Sequence, residues 1–316
     1  MRFPVLLCTF LAMAFEVPLI SSGLAQTPTP SVSQTAPAKQ RGFASPEQAA
    51  DALTEAIRKD DDRTVSAILG RGWRDFVPGT RQDEDQERTK FLSAWDEAHK
   101  VVLQGDSKAV VEVGKTGFVL PIPLVKEGDG WRYDVDAGRK EIEARTIGRN
   151  ELTTVQTLLA VVDAERDYLA LDPMKTGVAT YARRLLSSPG QKDGLYWEAK
   201  PGEPESPLGP LVARAQPGDR EAGQGYFGYH YRMLYGQGPA APGGAHRYLV
   251  NGHMIGGFAV LAWPVRYGET GVSTFIVSNA GDVYEQDLGP DTAAKASAIT
   301  VFDPDKDWQK SDTTPP

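Results

Sequence analysis

Cysteine is nearly absent from this chain. The single one, Cys8, falls inside the N-terminal apolar stretch. A product cut after that stretch has no thiol, so it forms no disulfide and offers no cysteine nucleophile or cysteine metal ligand. Cys8 also stands too early for a lipid-anchor junction, which needs a full apolar region ahead of it. After that stretch no apolar run approaches the ~20 residues of a membrane span. No block of Lys and Arg marks a membrane-surface patch, and a formal charge of −8 repels phosphate backbones, which excludes nucleic acid as an expected partner. Histidine is scarce: His99, His230, His246 and His253 match no metal-ligand spacing. No Gly-x-Ser-x-Gly elbow is present. The acidic runs Asp60-Asp61-Asp62 and Asp83-Glu84-Asp85 lack the alternating oxygen ligands and closing glutamate of a calcium loop, and read as solvated faces. The expectation is a chain with no cofactor, no metal and no recognisable catalytic residue.

What is present is globular: 41% of residues are hydrophobic and 24% charged. Arg2, the apolar stretch from Phe3 to Ile20 and the small residues at Gly23 and Ala25 follow the grammar of a secretory signal cut near Ala25. Pro4, Glu16 and Pro18 interrupt the stretch and argue against an uncleaved anchor. The chain is therefore expected in the periplasm or outside the cell. Residues 26–42, rich in Pro, Ser, Thr and Ala, read as a disordered linker. Residues 303–316 read as a tail.

Order is expected from Phe43. Ser45, Pro46 and Gln48 form a helix start with a capping box, and Ala49, Leu53, Ala56 and Ile57 recur at helical spacing. Asp62 is expected to cap a second helix that stops at Gly70, and Gln82 to His99 to form a third. The period then changes. Val101 to Leu103, Ala109 to Val113, Phe118 to Val125 and Trp131 to Val135 read as strands; in the last, Trp131, Tyr133 and Val135 alternate with charged residues. Helices followed by a curved antiparallel sheet make an α+β module over residues 43–138, with the element order of a nuclear-transport-factor-like cone.

Residues 139–302 begin with a helical stretch whose stripe runs through Leu152, Val155, Leu158, Val162 and Leu169. Gly148 and Asn150 are expected to break it, and a short helix is expected around Ala179 to Leu186. Nine of the eleven tyrosines follow, between Tyr181 and Tyr284. Strands are expected at Tyr229 to Tyr235, Gly257 to Trp263, Val272 to Val277 and Val283 to Gln286, the last two joined by the turn Asn279-Ala280-Gly281-Asp282. The expected build is a long helix packed on an antiparallel sheet.

The segments "PIPLVKEGDGWRYDVDAGRK", "DAERDYLAL", "YARRLLSSPGQKDGLYW", "GYHYRMLYGQGPAAPGGA" and "GDVYEQDLG" closely resemble a bacterial exported family called "domain of unknown function 2950". The resemblance covers most of Phe43 to Trp308. It implies a secreted or periplasmic protein and brings no activity. A looser likeness, from "DAERDY" through "GYHY" to "GDVY", is to the soluble part of type II secretion pseudopilins, which are structural parts of assemblies. Gly42-Phe43 with Glu47 also fits a prepilin cleavage site. The segment that follows is amphipathic and charged, which suits an N-capped surface helix and not a membrane helix.

One segment combines aromatic rings with hydrogen-bonding groups: Asp193, Tyr196 and Trp197, taken with His230, Arg232 and Gln237. These residues suit a groove for a sugar or peptide, or equally aromatic plugs in a loop-rich sheet with polar tips at water. The functional expectation is a non-catalytic binding, assembly or envelope-associated protein with an envelope protein or glycan as partner. The alternative is an envelope hydrolase or a sugar- or peptide-binding protein using the same groove.

Overall fold

A computed structural model describes residues 40–70, 72–76, 81–175, 177–214 and 225–312. The expected signal peptide and all but three residues of the expected linker lie outside the described residues. Two of those three are tied down. Gln40 donates through Nε2 to the carbonyls of Ile68 and Tyr133 at 2.6 and 2.9 Å, and Arg41 N–H bonds to Ala67 O at 2.9 Å. Among the described residues no helix is long and apolar enough to cross a membrane.

The structure is α+β. Helix α1 (Pro46–Arg58) starts as its sequence dictates: Ser45 Oγ accepts the Gln48 N–H, and Pro46 occupies the first turn. Phe43, inside the prepilin-like motif, is buried and exchanges backbone bonds with Trp131 at 2.8 and 2.7 Å. Helix α2 (Asp62–Leu69) is capped by Asp61, one residue before the expected cap, and ends at Gly70 with φ of 90°. After a 3-10 turn comes α3 (Arg81–Glu97).

Five antiparallel strands follow: β1 (His99–Leu103), β2 (Lys108–Val113), β3 (Phe118–Val119), β4 (Leu124–Glu127) and β5 (Gly130–Tyr133). Their order is β1-β2-β4-β5, with β3 also on β2. The single strand expected from 118 to 125 is two, because Pro121 and Pro123 have no N–H to donate to a ladder. Ala49, Leu53, Ile68, Val111, Leu124, Trp131 and Tyr133 close one core between helices and sheet.

Helix α4 (Val135–Leu171) is continuous over 37 residues and is capped by Asp134, whose Oδ1 accepts the Ala137 N–H at 3.0 Å. The expected break at Gly148 and Asn150 is absent. Gly148 costs a free helix about 1 kcal/mol, but packing on both sides of it outweighs propensity. Asn150 is buried and donates to Thr270 O at 2.9 Å, so its amide serves the tertiary structure and not a helix end. The helix crosses the expected module boundary at 138/139. There a Cβ on Gly138 would stand 2.7 Å from Ile122, so glycine permits the close approach. Further on, Val155, Leu158, Val161 and Val162 enter a second core.

The helix expected around 179–186 is not formed. Strand β6 (Arg184–Leu186) pairs in parallel with β7 (Gly194–Tyr196) instead. Tyr181 bridges to Met254, and the Ala182 N–H is taken by the Glu165 carboxylate, so neither group serves an i→i−4 ladder. A short helix, α5 (Gly209–Arg214), follows.

The main sheet of this half contains β8 (Tyr229–Leu234), and the chain then makes four two-residue strands, β9 (Gly236–Gln237), β10 (His246–Arg247), β11 (Leu249–Val250) and β12 (His253–Met254). It returns in β13 (Ala259–Pro264), β14 (Ser273–Ser278) and β15 (Val283–Asp287), then α6 (Thr292–Ala298) and β16 (Gln309–Lys310). The sheet is antiparallel in the order β16-β15-β14-β13-β8, so the segment expected as a tail supplies an edge strand. The β14–β15 turn forms as its sequence predicts, with Gly281 at φ of 86°. Helix α4 covers one face: Tyr231 Oη donates to Thr154 Oγ1, and Glu151 accepts the Val272 and Ser273 N–H groups. Helix α6 covers the other, where Arg232 reaches its carbonyls.

Candidate ligand-binding site

The C-terminal half of α4 carries a carboxylate where its stripe calls for an apolar residue. Glu165 stands seven residues after Leu158 and three before Tyr168, on the face that enters the core. It has no solvent exposure. Oε2 accepts the Ala182 N–H at 2.8 Å, while Oε1 has no hydrogen-bond partner. Burial pushes its pKa up to about 8, against the pull of the Ala182 bond, so near neutral pH the group is mostly an uncharged acid. A buried carboxyl raised this far is a recognised marker of functional sites when it adjoins a cleft.

A cleft lies beside the segment that Glu165 holds. A cavity of about 220 Å³ is lined by Tyr168, Tyr181, Arg183, Asp193, His253 and Met254, among others. Ala182, held by Glu165, sits between two of the lining residues. Tyr168 Oη donates to Lys192 O at 2.6 Å; burial first, then the negative charge of its neighbours, raises its pKa to about 12. The Tyr181 ring meets Phe258 edge-on at 4.9 Å, and the Tyr181 N–H bonds to Met254 O at 2.9 Å. Asp193 accepts from the Ser188 N–H at 2.7 Å and hydroxyl at 2.9 Å, and pairs with Arg184 at 3.2 Å. Burial acts to raise its pKa, but the Ser188 bonds and Arg184 together outweigh it and hold the carboxyl below its usual range.

Of the six residues singled out in the sequence, only Asp193 lines this cavity. Its neighbour Trp197 is buried, edge-on to Tyr168 at 6.5 Å and under the Lys192 ammonium at 5.5 Å, with its indole N–H unpartnered. Tyr196 ends β7, half-buried against the same core. His230 and Arg232 alternate with Tyr229 and Tyr231 on β8 and face the α6 side. Arg232 donates to Ala296 O at 2.8 Å and Ile299 O at 2.5 Å, closing the end of α6. His230 packs on Trp263 at 5.3 Å, and burial lowers its pKa. Gln237 clamps the loop after β9: its amide donates to Pro242 O and Gly244 O at 2.7 Å each, and its oxygen accepts from Tyr248. The structure thus divides the six among three places. Glu165, Tyr168, Tyr181, Arg183 and His253 were not singled out from sequence. Glu165 had a legible signal, a carboxylate inside an apolar helical stripe.

The two acidic runs meet across a groove of about 320 Å³ floored by Ile57, Val65, Trp73 and Phe91. They are bridged by their own arginines: Arg74 pairs with Asp62 and Glu84, and Arg88 with Asp60 and Asp85. Among the described residues no group of three or more His, Cys, Asp or Glu is placed to hold a metal ion. His99 stacks on Trp95 at 3.9 Å, and His246 has a backbone carbonyl at each ring nitrogen.

A family model described as "Protein of unknown function (DUF2950)" matches residues 40–311. The chain belongs to this family. The match begins at Gln40, where the described fold begins, and ends one residue after β16, so the DUF2950 region includes both cores and the cavity. No curated protein and no solved structure matches the chain.

Proposed function

We propose that this DUF2950 protein is an exported, non-catalytic binding protein that takes a small ligand in the cavity beside the segment that Glu165 holds. The cavity carries the reading. It combines an aromatic and thioether wall with a few convergent polar groups, and the chain between Tyr181 and Arg183 is held from behind by the buried Glu165 carboxyl. The non-catalytic part is supported by how the reactive groups are used. The Ser188 hydroxyl donates to Asp193 and makes no hydrogen bond to a histidine among the described residues, and Arg232 serves the end of α6. Export rests on the N-terminal apolar stretch and the small residues before Gln26. Two separate hydrophobic cores support modules over residues 43–138 and 139–302, sharing one helix. The helices over a curved sheet suit a transport-factor-like cone, and the helix on a sheet suits a pseudopilin-like second half.

The test is a thermal-shift screen of the full-length chain against short glycans and peptides, followed by titration of each hit. Hits should be lost or weakened about tenfold in Tyr181→Ala, which removes one aromatic wall. Hits that bind Tyr181→Ala unchanged, or a screen without hits, would refute the site. Cell fractionation with N-terminal sequencing tests export, with a mature terminus near Gln26 expected.

A further inference from the structure

The polar groups around the cavity are not equally satisfied. Asp193 is neutralised by Arg184 and by both Ser188 bonds. Glu165, uncharged in its buried site, offsets no cation nearby. Lys192 is paired with Glu203 at 3.2 Å and lies over Trp197. Arg183 differs. Its backbone is fixed by the bond from its N–H to Asp193 O at 3.2 Å, and its guanidinium makes one bond, to Gly252 O at 3.3 Å. Among the described residues it has no carboxylate partner, so most of its five donors remain available at the cavity mouth. His253, the first residue of β12, is half-buried with no side-chain hydrogen bond among the described residues. The Arg183 guanidinium is thus a cation at this cavity without a carboxylate partner among the described residues, and it sits beside the Tyr181 ring.

We infer that the cavity recognises a small organic carboxylate, its anionic group held by Arg183 with His253 and its body lying on Tyr181 and Met174. This rests on the ligand-binding reading above and names the ligand class. A single planar guanidinium matches one carboxylate in a two-bond fork. The volume of about 220 Å³ is below that of pockets for drug-sized ligands and suits one sugar ring or a dipeptide. A sugar acid and a peptide C-terminus share the required chemistry, an anionic fork on a compact body.

The experiment is calorimetric titration of the full-length chain with two matched pairs: glucuronate against glucose, and alanyl-alanine against alanyl-alaninamide. At least one acid should bind about tenfold or more tightly than its neutral partner. The pair that responds identifies the source. Arg183→Gln keeps a polar side chain on an exposed position and should abolish that preference with little change in thermal stability. His253→Gln should reduce it. Equal binding of acid and neutral partner, or a preference that survives in Arg183→Gln, overturns the carboxylate assignment while leaving the ligand-binding site intact. Binding by none of the four also overturns it, whereas the ligand-binding reading itself falls with a blank wider screen or with hits indifferent to Tyr181→Ala.

Discussion

Replacing Glu165 by glutamine should stabilise the protein, and more so as the pH rises. The folded-state pKa of Glu165 is about 8, against an ordinary 4.5. Because the folded value is the higher one, the stability linked to the neutral form is complete below the ordinary value and is lost as pH rises toward the folded value. At pH 7 the unfolded chain has released this proton and the folded chain mostly has not. The linked cost is about 3 kcal/mol there, about 1 kcal/mol at pH 5 and nearly 5 kcal/mol at pH 9. Glutamine keeps an oxygen for the Ala182 N–H and carries no proton to lose. The wild type and Glu165→Gln should therefore unfold in urea with a gap of about 1 kcal/mol at pH 5 that widens toward pH 9. In thermal melts at pH 7 the variant should gain roughly 6 to 12 °C for a domain of this size. A gap that does not change with pH would show that Glu165 ionises freely in the folded protein. A variant less stable than wild type at pH 9 would show that the charged form has a partner the geometry does not reveal. Either result refutes the reasoning, and with it the marker that drew attention to the cavity.

Two glycines of α4 should respond in opposite directions to alanine. A Cβ at Gly138 would press on Ile122 at 2.7 Å, so Gly138→Ala should lose about 1–3 kcal/mol in urea unfolding despite better helix propensity. Gly148 has open space at that position, so Gly148→Ala should gain up to about 1 kcal/mol; equal responses from the two would refute the close approach. Asp134→Ala removes the side-chain acceptor of the Ala137 N–H and should cost about 1 kcal/mol by the same measurement, with Asp134→Asn recovering most of it.

Local features were legible without a structure. Ser45-Pro46 marked a helix start because its two devices, an accepting hydroxyl and a fixed φ, act within one turn. The Asn279–Asp282 turn marked a hairpin because Gly281 supplies the positive φ there. The middle of the α4 stripe, Val155, Leu158 and Val162, and the alternation of Trp131 and Tyr133 named core faces, and these residues are buried, while Leu152 and Leu169 at the stripe's ends are only partly so. Where the reading departed from the structure, a distant partner had overruled a local preference. Gly148 and Asn150 read as a break, but the Thr270 carbonyl binds the Asn150 amide and helix α4 passes through. Residues 179–186 read as a helix, but Glu165 takes the Ala182 N–H and Met254 pairs with Tyr181. The expected groove failed to gather for the same reason: strand alternation sends His230 and Arg232 to the α6 side, while Asp193 stays by the end of α4.

Composition and local pattern by themselves determined the α+β class, the thiol-free chemistry of everything after Cys8 and most element starts. These depend on residue type and on spacing within a few positions. Tertiary structure alone decided the continuity of α4 and the cavity beside the segment that Glu165 holds. That cavity joins residues 168, 174, 180–183, 191–193 and 252–254, with Glu165 holding Ala182 from behind. Segments up to some ninety positions apart meet only when the second core closes, so no local spacing records their encounter, nor that Arg184 and not Arg183 takes the Asp193 carboxylate.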